Sequence, residues 1–339
     1  MITIKDVAHK ANVSVTTASL VLNQKDNAQR ISTKTRDHVL QVAASLGYVP
    51  NLSARQLRQQ TEHTLSIALL LPHDSRVSIM GEIVSGIQRF LLLKESTTKC
   101  SLTVEMYNAN EFTAVNGLQE PIRFNGAILA NLTEQDELYL HEHPIPLPCV
   151  LLQRNSDLYD YADGDNIQAG KDVAKHFISN GHHSIVLLVP RLSSDAINRR
   201  VQGIMSELST NPNCQAKSFI HYCDFSETGG YNTMKQLLDN DVRPTAIICM
   251  SDQIAIGTLY ALQEHSILIP EDCELISFDN LPLSQYTQPP LTSVSVPVRD
   301  MAYYASKLLL NNIVTTSLRL PSHTFEMPII HRGTTRVIK

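Results

Sequence analysis

Apolar positions along this chain follow two different rhythms. Over residues 3–48 they recur at helical spacing in three short runs. Val7, Ala8 and Ala11 form the apolar face of the first. Val15 to Leu22 form the second, with Ala18, Val21 and Leu22 inward. Val39, Val42, Ala43 and Leu46 mark the third. Thr3, Ser14 and Ser32 stand at N-cap positions, and Asp6 completes a capping box with Thr3. Gly47 is placed to stop the third helix in the left-handed conformation. Ala11-Asn12-Val13 predicts a tight turn between the first two. Helix, tight turn, helix is the pattern of a helix-turn-helix domain. Pro50-Asn51 then breaks the chain, and residues 52–57 predict a helix too short to be stable alone.

From about Thr64 the rhythm changes. Short β-type runs alternate with helical ones: 65–71 and 79–93, 126–130 and 134–141, 150–152 and 167–179, 184–189 and 196–208, 218–222 and 229–238, 246–250 and 253–264, then 274–278. Such alternation predicts a parallel sheet covered on both faces. More than 200 residues of it exceed one comfortable sheet, which predicts two similar subdomains.

Composition narrows the class. The 339 residues are 43% hydrophobic and 18% charged, which excludes a disordered chain. No apolar run reaches the roughly 20 residues of a membrane span, and residues 1–6 lack a signal-peptide core. Six cysteines without metal spacing are expected to be reduced and structural. The net charge of −5 hides an asymmetry. Residues 1–60 carry eight Lys/Arg against three Asp, and the remainder 20 against 30. A basic module on an acidic body points to a polyanionic partner for the N-terminus alone.

Specific strings carry more. Thr3-Ile4-Lys5-Asp6-Val7-Ala8, Val13-Ser14-Val15-Thr16-Thr17-Ala18-Ser19 and Val21-Leu22-Asn23 resemble the headpiece of the LacI/GalR family of bacterial repressors. So does Leu46-Gly47-Tyr48-Val49-Pro50-Asn51, followed by Ala54, Arg55 and Leu57. Asn180-Gly181-His182, Ser251 to Gly257, Phe278-Asp279-Asn280 and Pro289 to Val294 resemble its core, so the likeness spans essentially the whole chain. It implies an all-α helix-turn-helix headpiece (1–49) and a hinge helix with linker (50–62). An α/β two-lobed core (63–339) follows, resembling periplasmic sugar-binding proteins, its parallel sheets flanked by helices. The N-lobe would hold about 63–163 and 294–324, the C-lobe about 164–293 and 325–339. The implied partners are double-stranded operator DNA, a small, sugar-like effector in the cleft between lobes, and a second copy in a homodimer. No cofactor and no membrane are implied.

The resemblance assigns roles by position. Val15, Thr16 and Leu20 match base-reading positions in the major groove, whereas Ser14, Thr17 and Ser19 match phosphate contacts. Packing in the three-helix core is the competing role for Val15 and Leu20. Leu20 departs from the family, where arginine is commonest and can fork onto guanine. Asn51, Ala54 and Leu57 match the hinge helix, whose leucine wedges into the minor groove. The competing role for Leu57 is ordinary helix packing.

Asp165, Arg200, Phe225, Asp252 and Asp279 match effector contacts. Carboxylates and a guanidinium converging in a cleft suit vicinal hydroxyls. Asp165 and Asp252 also stand where helix N-caps belong. After the first core strand the family often carries aromatics. Here Asp74 to Met80 has none and adds Arg76, which suits a phosphorylated or acidic effector or is a solvated surface side chain.

Two other classes are weighed. A solute-binding receptor shares the core but calls for an export signal and no basic headpiece. An enzyme is disfavoured, because phosphate-loop, dinucleotide and nucleophile-elbow motifs are missing. His141/His143 and His182/His183 also lack the spacing of a catalytic metal site.

Overall fold

A computed structural model describes residues 4–22, 31–45, 64–93, 99–112, 123–191, 194–210, 219–314 and 320–336. The expected roles of Thr3, Gly47, Asn51, Ala54 and Leu57 lie outside these. The chain divides into two units, Met1–His63 and Thr64–Lys339.

The first unit holds α1 (Ile4–Lys10), α2 (Val15–Leu22) and α3 (Thr33–Ser45). Val7, Ala8 and Ala11 of α1 pack with Ala18 and Val21 of α2 and Val39 and Ala43 of α3. Asn12 makes the turn in the left-handed region at φ 52°, which asparagine tolerates better than most residues. Ser14 caps α2 by accepting the Thr17 amide at 3.0 Å, and Ser32 caps α3 by accepting that of Thr35 at 3.2 Å.

The second unit contains two six-stranded sheets. In the N-lobe β1 (Leu65–Pro72) leads to α4 (Val77–Leu92), then β2 (Cys100–Tyr107) and β3 (Gly126–Ala130). There follow α5 (Glu134–Glu142), β4 (Cys149–Leu152) and β5 (Asp160–Gly164). The C-lobe follows with α6 (Asn166–Ser179), β6 (Ile185–Pro190), α7 (Asp195–Thr210), β7 (Phe219–Cys223), α8 (Glu227–Asp239), β8 (Ala246–Cys249), α9 (Asp252–Glu264), β9 (Glu274–Asp279), a 3-10 turn (Pro282–Tyr286) and β10 (Thr292–Ser295). Helix α10 (Val298–Val314) returns to pack on α4 and the N-lobe strands. β11 (His323–Phe325) joins the first sheet and β12 (Ile329–Ile330) the second.

The sheet orders are β11-β5-β4-β3-β1-β2 and β12-β10-β9-β8-β6-β7. Every pairing is parallel except that of β12 with β10. The chain therefore passes between lobes three times: after β5, after β10 and after β11. The second passage follows Ser295, because residues 294 and 295 pair with β9 in the C-lobe sheet rather than joining the N-lobe.

The central strands β3, β4, β6, β8 and β9 are buried along their whole length. That explains why β3, β4, β6 and β8 read as unbroken apolar runs rather than alternating ones. Helices α6 and α7 approach so closely that a Cβ at Gly203 would lie 2.1 Å from the Ile167 carbonyl oxygen. This contact sets the position of Arg200, one turn earlier on α7. The described cysteines are free, and Cys149, Cys223, Cys249 and Cys273 are buried. Burial pushes the Cys149 thiol up to about 12 and that of Cys223 up to about 11, so both are poor nucleophiles.

Candidate functional site

In open α/β sheets ligands gather beyond the carboxyl ends of the strands. A cavity lies there between the two lobes. The N-lobe lines it from the ends of β1, β3 and β4, with Arg76, Asn131, Gln153 and Arg154. The C-lobe lines it with Asp195, Arg200, Phe225 and Asp279. Asn131, Gln153 and Asp279 directly follow or end a strand, and all three have positive φ, at 55°, 62° and 109°. Non-glycine residues in this region store backbone strain of about 1–3 kcal/mol each, which is characteristic of ligand sites. Gln153 Oε1 is buried without a hydrogen-bond partner among the described residues.

Arg200 is fully enclosed. Its Nε donates to Asn166 Oδ1 at 2.9 Å, and its guanidinium carbon lies 4.6 Å from the Phe278 ring centroid. Burial pulls its pKa down to about 10, against the pull of Asp279 in the other direction. It therefore stays charged at neutral pH. Arg154 is also buried and pairs with Glu137. Arg199 holds Asp163 at 2.6 Å and Asp195 at 2.8 Å. Burial pushes the Asp163 carboxyl up despite that partner.

Asp279 and Phe225 complete the site, and both meet Arg76. The Arg76 side chain reaches across the cleft and donates from NH1 to Asp279 Oδ2 at 2.7 Å. Its guanidinium carbon sits 4.2 Å from the Phe225 ring centroid. With its side chain only 21% exposed, Arg76 is not a solvated surface residue. Its charge is already matched, so it is not a free anion anchor either.

Two expected effector residues lie elsewhere. Asp165 is an exposed N-cap of α6, accepting the Gln168 amide at 3.0 Å. Asp252 is the first residue of α9, whose N-cap is Ser251. Its Oδ1 accepts from Ser277 and Ser293, and its Oδ2 from Ser284 and the Leu281 amide. Burial pushes the carboxyl up, with Asp279 adding to this, and the three serines pull it back. Neither Asp165 nor Asp252 is among the residues lining the cavity: the first caps a helix and the second ties together three serines. Arg154, Asn131 and Gln153 were missed. The available signal was their place just past a buried apolar strand.

In the headpiece, Val15 is 41% exposed, which removes core packing as its role. Thr16 and Ser14 are exposed, and Thr17 and Leu20 are half-buried. Among the described side chains of α2, only Ala18 and Val21 belong to the buried core. Ser19 takes part in α2.

A basic helix-turn-helix module in one unit, with a charged cleft between two parallel-sheet lobes in the other, defines a DNA-binding regulator with a ligand-sensing core. The comparisons with known proteins agree. Residues 3–51 match the model of bacterial regulatory proteins, lacI family, and residues 174–335 that of the periplasmic binding protein-like domain. The chain is 30% identical to the HTH-type transcriptional regulator GalS of Salmonella typhimurium, covering 98% of this chain and 96% of the relative. It is 31% identical to the HTH-type transcriptional repressor PurR of Shigella dysenteriae, covering 93% and 91%.

Among solved structures, a lac repressor dimer bound to operator and the anti-inducer ONPF superposes with a TM-score of 0.72 at 25% identity, covering 99% of each chain. A complex of the transcriptional regulator CelR with cellobiose gives 0.70 at 24% identity, covering 98% and 100%. The chain belongs to the lacI family of bacterial regulatory proteins. It is a DNA-binding transcription regulator and not an enzyme. No helix among the described residues is long and apolar enough to cross a membrane.

Proposed function

We propose that this regulator is a cytoplasmic repressor, that it acts as a homodimer on a palindromic operator, and that a sugar, phosphosugar or related metabolite in the interlobe cleft sets its operator affinity. The observation that carries the effector half is the meeting of Arg200, Phe225 and Asp279 in one cavity, contributed by three separate elements. A guanidinium, a carboxylate and an aromatic face together suit a ring with adjacent hydroxyls. The PurR relative is itself a repressor by name, and the superposed lac repressor is a dimer on operator DNA. Two headpieces related by a two-fold axis call for a two-fold site.

On DNA, Val15, Thr16 and Leu20 face base edges, while Ser14, Thr17 and Ser19 hold phosphates and set register. Leu20 offers an apolar contact such as a thymine methyl meets. Asn51, Ala54 and Leu57 serve the minor groove at the operator centre, with Leu57 as the wedge.

Selection of binding sites from random duplex DNA by the purified full chain tests this reading. A palindromic consensus is expected. Leu20→Arg should move one half-site position toward guanine by about 1–3 kcal/mol of discrimination. Leu57→Ala should weaken binding and straighten the DNA while leaving half-site preference unchanged. A consensus without two-fold symmetry, or an unchanged preference in Leu20→Arg, would overturn the corresponding assignment.

A further inference from the structure

Arg76 belongs to the N-lobe, at the N-cap position of α4, where its extended backbone and lack of a capping hydrogen bond leave the side chain pointing away from the helix end. Both of its partners belong to the other lobe. Asp279 ends β9 and receives NH1 at 2.7 Å, while Phe225 follows β7 and lies under the guanidinium at 4.2 Å. These are two of the three side chains on which the effector reading of the cleft rests. Arg76 addresses them as a ligand would, with N–H donors in the plane for a carboxylate and a flat face for an aromatic ring.

The space left around it is small. The cavity measures about 130 Å³, below the roughly 300–1,000 Å³ of ordinary small-molecule sites. The Arg76 guanidinium already contacts both Asp279 and Phe225, so a ligand that engages both meets it there.

We propose that Arg76 is an internal occupant of the effector site and thereby its specificity-determining residue. This rests on the cleft being the effector site. A ligand binds by displacing the guanidinium, so it must match what the guanidinium supplies. It presents at least two hydrogen-bond donors, as adjacent hydroxyls or as an amino or amidine group, to Asp279. It lays a flat face on Phe225. At that point it is neutral or cationic, because an anionic group there would face the Asp279 carboxylate. Any phosphate or carboxylate it bears lies elsewhere on the ligand. Without ligand, Arg76 bridges the lobes itself. Effector binding therefore exchanges one interlobe bridge for another rather than closing an open cleft.

Chemical rescue tests the proposal without knowledge of the effector. Arg76→Ala in the full chain vacates the slot, and methylguanidinium chloride at millimolar concentration is the probe. The expected result is a saturable rise of a few degrees in the Tm of Arg76→Ala, since a ligand that binds the folded state stabilises it. No saturable rise is expected in the unsubstituted chain, whose own side chain fills the slot. None is expected in Arg76→Ala/Asp279→Asn, which lacks the carboxylate, or in Arg76→Met, which fills the slot with an apolar chain. Arg76→Gly repeats the measurement should Arg76→Ala fold poorly. No rise in the vacated variants, or an equal rise in all proteins, overturns the proposal. Operator affinity, measured with and without the probe, reports separately on the effector-site assignment. A saturable rescue that leaves operator affinity unmoved would refute that assignment while leaving Arg76 as the occupant of the slot.

Discussion

Asp252 and Asp279 are buried carboxylates of the same lobe, and they are held in opposite ways. Asp252 has all its donors from within the C-lobe: Ser277 on β9, Ser293 on β10, and Leu281 and Ser284 around the 3-10 turn. Asp279 is met by an arginine from the other lobe, at the edge of a cavity. The difference teaches that burial alone does not mark a binding residue. A carboxylate saturated inside one rigid lobe knits that lobe together. A carboxylate answered across a cleft can exchange its partner for a ligand.

Substitutions should separate the two sharply. Asp252→Ala carries the largest expected effect. It strands four donors, three of them on fully buried serines, and each hydrogen bond to a charged group contributes about 1.5–3 kcal/mol. A loss on the order of 3 kcal/mol or more is expected in the urea unfolding of the core. A loss near zero would mean that the serine cluster is not a structural hub.

Asp279→Asn comes next. It weakens the bridge to Arg76, but Arg76 keeps access to solvent, so the loss is held to about 1–2 kcal/mol. Its main effect is on signalling: operator binding should stop responding to the effector. A full response in Asp279→Asn would remove this residue from the ligand site.

Asp165→Ala sharpens the comparison from the other side. It should cost about 1 kcal/mol as a lost helix cap, with Asp165→Ser restoring most of it and the effector response untouched. A lost response would return Asp165 to the cleft.

The smallest effect concerns a third buried carboxylate, Glu274. Burial pushes it up, but Arg336, His182 and Asn180 outweigh that and hold it below its ordinary value. His176, 3.4 Å away, is lowered by burial and by His331, against the opposing pull of Glu274. Both shifts act in one direction. Below about 6.5 the unfolded chain protonates its histidine before the folded one does, so stability falls. The contribution of Glu274 is full above about 4.5 and is lost as pH falls through its lowered value. Acidification should therefore destabilise the core in two stages, and His176→Gln should flatten only the upper one. An unchanged slope just below pH 6.5 in that variant would contradict the assignment.

Much of the fold was legible along the chain. The headpiece core residues Val7, Ala8, Ala11, Ala18, Val21, Val39 and Ala43 fall at helical spacing, and the buried strands β1, β3, β6 and β8 are short apolar runs. Less legible were β2, β5 and α10. β2 lies at the edge of its sheet with alternating exposure, and β5 reads Asp-Tyr-Ala-Asp-Gly. Their pairing comes from neighbours in space; β2 does carry an alternating apolar pattern with Thr103 and Val104, whereas the side chains of β5 give little β signal.

Of the five residues matched by resemblance, Arg200, Phe225 and Asp279 line one cavity, while Asp165 and Asp252 do not. An aspartate before a helix has the same local pattern whether it caps the helix, anchors a serine cluster or faces a ligand.

Periodicity, caps and charge by themselves determined a basic three-helix module and a long α/β core, because those depend on residues three or four positions apart or on simple alternation. Only the tertiary structure decided that Arg76 meets Asp279, 203 residues away along the chain. That contact depends on how two lobes, crossed three times by the chain, face each other. It turned an arginine that local sequence left as either surface or anion anchor into the occupant of the cleft.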